Sequence, residues 1–240
     1  MRLSIKRACP PVMAALLAAG LSVPAHAAFV QFNDRATFDA LGPFVGVDWG
    51  VFGPDGTVIS TPDSRVVGGL TIGVGSSQGA LQRYDEGTSF TGNFAVGDHL
   101  LGDAGSESDS FIVRFGPSVK GFGTQVDSHY IRGDYNGSIE LFSASNVSLF
   151  TAPFSGTNTF AEDNTAPFVG ITSDLANISY AIFTIDQSFD PNIPAKAGSL
   201  LINRLDVIAA KVPEPSPLAV LATAVMAFFA FGFFRRQALT

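Results

Sequence analysis

A serine framed by glycines is the first pattern in this chain whose residue types suggest chemistry. Residues 75–79 read GSSQG and match G-x-S-x-G, the turn that presents a nucleophilic serine in α/β hydrolases. That turn requires a strand before the serine and a helix after it, and only the strand is predicted here. Because glycine is abundant throughout the chain, we interpret the match as a chance one.

Histidine and cysteine are scarce, which restricts the possible catalytic sites. Beyond residue 27 the chain has only His99 and His129, so a Ser-His-Asp triad would have to use one of them. No spacing singles out either histidine, and the zinc-binding patterns H-E-x-x-H and H-x-x-x-H do not occur. The one cysteine, Cys9, lies in the N-terminal segment. We therefore predict no catalytic residue and no metal ligand, and we expect a protein that is not an enzyme.

Acidic residues cluster in segment 85–109, which is the stretch with the fewest strand signals. Asp98, Asp103, Glu107 and Asp109 are hard oxygen ligands of the kind that calcium prefers, but their spacing is not that of an EF-hand. We favour a solvated acidic loop and predict no cofactor, with a structural calcium ion as the alternative. A pair of carboxylates could also hydrolyse glycosides, but the sequence does not give their separation.

Exposed aromatic rings are the remaining candidates, because flat rings stack on sugar faces. Residues 134–137 (DYNG) lie between two apolar runs and predict a hairpin turn, since Asn-Gly accepts positive φ. Tyr130 and Tyr135 flank that turn and are our candidates for glycan stacking. Trp49 lies in an apolar run, so we expect it in the core.

The elements that would position these residues read as β-strands. Apolar runs of five to ten residues recur between turn signals, which favours an antiparallel sandwich or barrel. The predicted strands are Phe29–Phe32, Phe44–Phe52, Val66–Val74, Ala80–Tyr84, Ser110–Phe115, Lys120–His129, Ser138–Phe150, Phe168–Thr172, Ile178–Ile185 and Leu200–Ala209.

Two of these predictions carry more detail than the rest. Ile178–Ile185 is apolar on both faces, which predicts a central strand. One short helix is predicted over Asp34–Leu41, with Asp34 as its N-cap and the Gly42-Pro43 pair ending it.

The N-terminus has the features of a secretory signal peptide over residues 1–27. Basic residues come first, Val12–Val23 is apolar, and Ala25-His26-Ala27 forms an A-x-A cleavage site. We therefore expect Ala28 to begin the mature chain, which is then free of cysteine and cannot form disulfides.

The C-terminus carries a second apolar segment. Pro217–Phe234 is uncharged, and at about 1.5 Å per residue a helix of this length reaches about 27 Å, close to the hydrocarbon thickness of a bilayer. Arg235 and Arg236 follow directly, and positive charge beside a span favours the cytoplasmic side. The sequence thus predicts one transmembrane helix with its basic end in the cytoplasm.

A short proline-rich motif precedes that helix. Val212, Pro213, Glu214 and Pro215 stand before it, and alternating prolines favour extended backbone. The ordered set of motif, helix and Arg235-Arg236 at the terminus of a secreted chain resembles the PEP-CTERM sorting signal of Gram-negative bacteria. The resemblance covers about the last 30 residues, so the domains are residues 1–27, a β domain at 28–211, and a sorting signal at 212–240.

The resemblance to PEP-CTERM proteins implies specific partners and a location. It implies recognition by an exosortase with processing near Pro213–Pro215, an inner-membrane-anchored precursor, and a final place at the cell surface or in an extracellular matrix. It also implies exopolysaccharide-producing bacteria that form biofilms. The β domain looks like the jelly-roll domains common among such proteins, which is a fold-level likeness alone.

The net charge of the β domain argues against nucleic acid as a partner. Between Ala28 and Val212 there are 20 acidic and 9 basic residues, a net charge of −11. An acidic surface disfavours nucleic acid. We expect a non-enzymatic structural or polysaccharide-associated binding protein, with a secreted polysaccharide-active hydrolase that uses a carboxylate pair as the alternative.

Overall fold

The computed structural model of the protein describes residues 27–76, 79–104, 110–129, 132–188 and 199–210, without the side chains of 186–188. The predicted transmembrane helix and the PEP-CTERM motif lie outside the described residues, as does the predicted signal peptide apart from Ala27. Among the helices that are described, none has both the length and the apolar character needed to cross a bilayer.

The described residues are almost entirely β-strand. In chain order the elements are β1 (Phe29–Phe32), α1 (Arg35–Asp39), β2 (Val45–Val47), a 3₁₀ helix (Trp49–Phe52), β3 (Val58–Ile59), β4 (Asp63–Val67), β5 (Leu70–Ser76), β6 (Leu81–Asp85), β7 (His99–Asp103), β8 (Ser110–His129), β9 (Gly133–Phe142), β10 (Ser148–Asn158), β11 (Phe168–Ser173), β12 (Ile178–Ser188), β13 (Ser199–Ile202) and β14 (Leu205–Ala209).

Strand β8 joins the parts of the sheet. Its first half pairs with β5 and β12, its second half with β11 and β14, and its last residues with β13, all antiparallel. The two strands predicted at 110–115 and 120–129 are therefore one continuous strand. The fold is all-β and antiparallel, as predicted, and its arrangement is consistent with a β-sandwich.

The strands divide into three runs that β8 connects. Beside its first half the order is β10-β9-β12-β8-β5-β4, and beside its second half it is β1-β11-β8-β14-β2. The end of β8 pairs with β13, which begins the third run, β13-β7-β6-β3. Strand β10, which contains Pro153, pairs with β9 alone among the described strands and forms a free edge.

Both halves of β8 contribute to one hydrophobic core. The ring of Phe122, from the second half, lies 5.3 Å from that of Phe115 in the first half and 5.9 Å from that of Phe183 in β12. All three side chains are buried. The prediction that Ile178–Ile185 is a central strand is confirmed, because β12 lies between β8 and β9.

The predicted helix N-cap is also confirmed. The Asp34 carboxylate accepts the backbone N–H of Thr37 at 2.7 Å, which satisfies one of the unpaired donors at the start of α1. The helix packs Phe38 into the interior between Phe44 and Phe168.

The predicted hairpin turn at residues 134–137 is wrong. These residues lie inside β9, where Asn136 pairs with Ser155 and Gly137 with Phe154 of β10. The glycine is needed for close packing, because a Cβ at Gly137 would lie 2.2 Å from the carbonyl oxygen of Thr184. The turn comes later, between β9 and β10, where Asn146 has a φ of 59°.

The predicted strand Ser138–Phe150 is broken by that turn, and three others are each broken by a local feature. The run 44–52 ends as a strand at Val47, since Asp48 caps the 3₁₀ helix that carries Trp49 into the core. The run 66–74 spans a tight turn at Gly68 and Gly69, which have φ of 56° and 84°. The run 200–209 is interrupted at residues 203–204.

Removing the ring of Phe122 should strongly destabilise the fold. Phe122→Ala leaves a cavity between two halves of the core, which typically costs about 3–5 kcal/mol in the free energy of unfolding. Urea denaturation of the full chain, followed by the fluorescence of the single, buried Trp49, measures this. Val66→Ala, at a side chain that is 74% exposed, is the control and should change stability by less than about 0.5 kcal/mol. A loss below about 1 kcal/mol for Phe122→Ala would contradict the packing described.

Candidate functional site

The aromatic residues proposed for glycan stacking do not form an exposed pair. Tyr135 is 2% exposed, and its hydroxyl donates a hydrogen bond to the carbonyl oxygen of Val126 at 3.0 Å. It faces inward because it alternates in phase with the buried Ile139 and Leu141 of β9. The expectation that Tyr135 is exposed is therefore wrong, and Tyr130 lies outside the described residues.

The G-x-S-x-G segment connects two strands of the sheet. Gly75 and Ser76 end β5, residues 77–78 are not described, and β6 begins at Leu81. The four positions between β5 and β6 are too few for the helix that a nucleophile turn requires. This geometry agrees with the interpretation of the match as a chance one.

The two histidines have different surroundings. His129 is buried against the rings of Tyr84 and Phe90, at 5.1 and 5.2 Å, and burial lowers its pKa to about 3. His99 is more open, but its Nδ1 lies 2.5 Å from Asp48 and its Nε2 lies 3.6 Å from Asp85. Since both ring nitrogens of His99 face carboxylates, neither is directed at a serine as a triad requires.

The four carboxylates suggested for calcium are not brought together by the described residues. Asp98 precedes β7 and accepts a hydrogen bond from the side chain of Asn203 at 3.2 Å, whereas Asp103 ends the same strand and is buried. Glu107 and Asp109 lie outside the described residues. Across the described ranges, no three His, Cys, Asp or Glu side chains form a group suited to hold a metal ion.

A buried carboxylate pair, which the sequence analysis missed, lies where the β6–β7 connection meets β8. Glu86 Oε1 accepts the N–H of Gly92 at 2.7 Å, and Asp127 Oδ2 accepts the N–H of the next residue, Asn93, at 2.8 Å. Glu86 is 1% exposed and Asp127 is fully buried. The pair is assembled from distant parts of the chain, so no local spacing signals it.

Burial changes the ionisation of both acids. It raises the pKa of Glu86 to about 7, and the negative charges of Glu162, Asp127 and Asp98 add to the shift. Burial likewise raises the pKa of Asp127 to about 6. Such values suit general acid–base chemistry, but neither carboxylate faces a solvent-accessible groove that a substrate could enter.

The outer face of the sheet carries an open groove with a volume of about 470 Å³. It lies across β4, β5 and the first half of β8, where Gly73 pairs with both Ser64 and Arg114. Its lining mixes polar and apolar groups that include Asp63, Ser64, Thr71, Gly73, Arg114 and Phe115.

Beside the groove, Arg114 of β8 contacts an aromatic stack formed by the next two strands, β12 and β9. The exposed Arg114 places its guanidinium 4.7 Å from the ring centroid of Tyr180 in β12. Tyr180 in turn stacks on Phe142 of β9, with centroids 4.7 Å apart and planes 6° from parallel. The stack restrains the guanidinium of Arg114, and the groove lining brings charged, hydroxyl and apolar groups side by side. Such a groove can offer hydrogen-bond donors and apolar contacts to a ligand.

Comparisons with known proteins identify no family. No protein-family model matches the sequence, and no curated protein matches it. Among solved structures, a DUF4465 family protein from Bacteroides caccae ATCC 43185 is similar with a TM-score of 0.40 and 9% identity, over 75% of this chain and 100% of that chain. Similarity at this level transfers no activity to the present chain.

The raised pKa values predict a pH dependence of stability. A carboxyl whose pKa is higher in the folded state stabilises the fold fully below its unfolded pKa, near 4.5 for Glu86, and loses that contribution as the pH rises through about 7. Glu86→Gln mimics the protonated acid, so in metal-free buffer we expect it to match the wild type at pH 4.5. At pH 8 it should exceed the wild type by on the order of 2 kcal/mol. Urea denaturation across this range tests the prediction, and parallel pH curves for the two proteins would refute it.

Proposed function

We propose that this protein is an exported cell-surface or matrix protein, sorted through its C-terminal signal, whose β domain is a non-enzymatic structural or polysaccharide-associated binding module. The proposal includes a signal peptide at residues 1–27, a jelly-roll-like arrangement of the β domain, and a transmembrane helix at Pro217–Phe234. The ordered motif, helix and basic end at residues 212–236 support the sorting step.

The physical roles within the sorting signal follow from residue type. Pro213 and Pro215 keep the motif extended, and a processing enzyme generally needs an extended substrate. The apolar helix spans the inner membrane and holds the motif at the surface of that membrane that faces away from the cytoplasm. Arg235 and Arg236 keep the other end of the helix in the cytoplasm. The exosortase supplies the catalytic groups, so this chain acts as its substrate.

The groove beside Arg114 is the observation that carries the binding role. A guanidinium offers five N–H donors in a fixed plane, and the Tyr180–Phe142 stack restrains it at the groove wall. Sugar hydroxyls accept such hydrogen bonds, and the apolar parts of the lining suit the C–H faces of a sugar ring. An exopolysaccharide is therefore the class of partner that we propose.

The alternative is a secreted polysaccharide-active hydrolase with a carboxylate pair. Glu86 and Asp127 are the paired carboxylates with raised pKa values among the described residues, and both are buried. A glycosidase needs its two carboxyl groups on either side of an accessible scissile bond. The burial of this pair is the reason that we prefer the binding role.

Sorting is tested in the native host. We expect the wild-type chain to begin at Ala28 and to lose the apolar segment 217–234 only when the host's exosortase is present. Replacing both Pro213 and Pro215 by Ala should leave that segment in place, because the motif is then no longer held extended. Intact mass and cell fractionation measure both steps, with Lys211→Ala as the control. An uncut wild-type chain in the inner membrane of both strains would show that the tail is a plain anchor.

Binding is tested with polysaccharide purified from the same host. Arg114→Ala removes charge-assisted hydrogen bonds, so we expect about a tenfold or greater loss of affinity. The matched control is Lys120→Ala, which removes one exposed positive charge from the same strand, at a residue that does not line the groove. Equal affinities for the two variants, or no binding by the wild type in affinity electrophoresis, would contradict the proposed role of the groove.

A further inference from the structure

Two connecting segments meet over the buried carboxylate pair. One is the connection between β6 and β7, and the other is segment 159–165 between β10 and β11. The N–H of Glu162 donates to the carbonyl oxygen of Gly92 at 2.8 Å, and the N–H of Ala166 donates to that of Asn93 at 2.9 Å. These bonds bring the backbone of Glu162 to Gly92, whose N–H binds Glu86, and the charge of Glu162 helps to raise the pKa of Glu86.

One oxygen of this group lacks the partner that its burial requires. Glu86 Oε1 accepts the N–H of Gly92, but Glu86 Oε2 is buried and has no hydrogen-bond partner. A buried, unsatisfied carboxylate oxygen is costly in free energy, because it has lost its hydration and gained nothing in exchange. Its position therefore calls for a positively charged group or a proton.

No protein cation supplies that charge within the described part of the chain. The ion pairs found there join arginine or histidine to other acids, and none of them reaches Glu86 or Glu162. The carboxylates of Asp98 and Asp127 add further negative charge around Glu86. Four acids thus share one region without a side-chain counter-ion.

Two of these four acids already accept hydrogen bonds from the protein. Asp127 accepts the N–H groups of Asn93 and Ser128 with its two oxygens, and Asp98 Oδ2 accepts the side-chain amide of Asn203 and the N–H of Ala95. Glu86 Oε2 and the carboxylate of Glu162 have no hydrogen bond from a described residue, so these are the oxygens that we assign to a ligand.

We propose that Glu86 and Glu162 bind one calcium ion, which fastens segment 159–165 to the β6–β7 connection. Calcium fits because it takes oxygen ligands in flexible geometry and completes its coordination with backbone carbonyls and water. Zinc does not fit, since it favours nitrogen and sulfur ligands in closed tetrahedral sites.

The test uses the full chain, stripped with EDTA and held at pH 7.5. With a dissociation constant near 10⁻⁴ M, which is in the range of extracellular calcium modules, 10 mM calcium should raise the thermal midpoint by about 5 °C or more. Trp49 fluorescence reports unfolding, and calorimetric titration should give one site per chain. Glu86→Gln and Glu162→Gln should each abolish the shift. Glu140→Gln, which removes a carboxylate on β9 that bonds Ser148, is the control and should respond like the wild type.

Each contrary result overturns the proposal. A wild type whose thermal midpoint does not change with calcium, at pH 7.5 and at pH 8, would show that no cation binds at Glu86 Oε2. A calcium shift that survives in both variants would place the ion elsewhere. If Glu86→Gln does not fold, Glu162→Gln decides alone, since Glu162 is only partly buried and a Gln there keeps the shape of the segment.

Discussion

The register of strand β8 is the constraint on which the rest of the structure depends. Five other strands take their positions from it, and residues of its two halves meet in one core. The fit is tight, because a Cβ at Gly121 would lie 2.4 Å from the carbonyl oxygen of Ile171, and one at Gly123 would lie 2.4 Å from the ring of Phe168. A slip by one residue would turn every side chain of β8 to the opposite face. The same strand places Arg114 on the outer face and Asp127 in the interior. The positions of the groove and of the buried acids therefore both depend on the register of β8.

The parts of the fold that could be predicted from the sequence are those that short-range chemistry determines. Apolar runs identified most strands, and Asp34 identified the start of α1 through its own side chain. The hairpin at 134–137 failed because Gly137 is there for a close contact with β12, which is distant in sequence. The interior position of Tyr135 followed from its phase along β9, which could be assigned only once the strand's limits were known. Glu86, Asp127 and Glu162 could not be grouped in advance, since two connecting segments and strand β8, which are distant in sequence, bring them together.

Several of the basic residues neutralise acids of the protein itself, whereas the arginine of the candidate groove does not. Arg35 and Arg204 both pair with the buried Asp206, and Arg83 pairs with Asp85, so these cations offset acids of the protein itself. Arg114 instead lies against an aromatic ring on the outer face. The groove is therefore a local departure from an acidic surface, in keeping with a neutral or hydroxyl-rich polymer as the partner that we propose.

The free edge at β10 has a consequence for crowded conditions. An exposed edge strand can recruit a strand from another molecule and so begin a fibril. Pro153 has no N–H to offer in the middle of β10, and its carbonyl oxygen already accepts a hydrogen bond from the Gln31 side chain at 2.8 Å. The edge is thus interrupted at its centre, so β10 is a poor template for a strand of a neighbouring copy, even where copies are packed densely side by side.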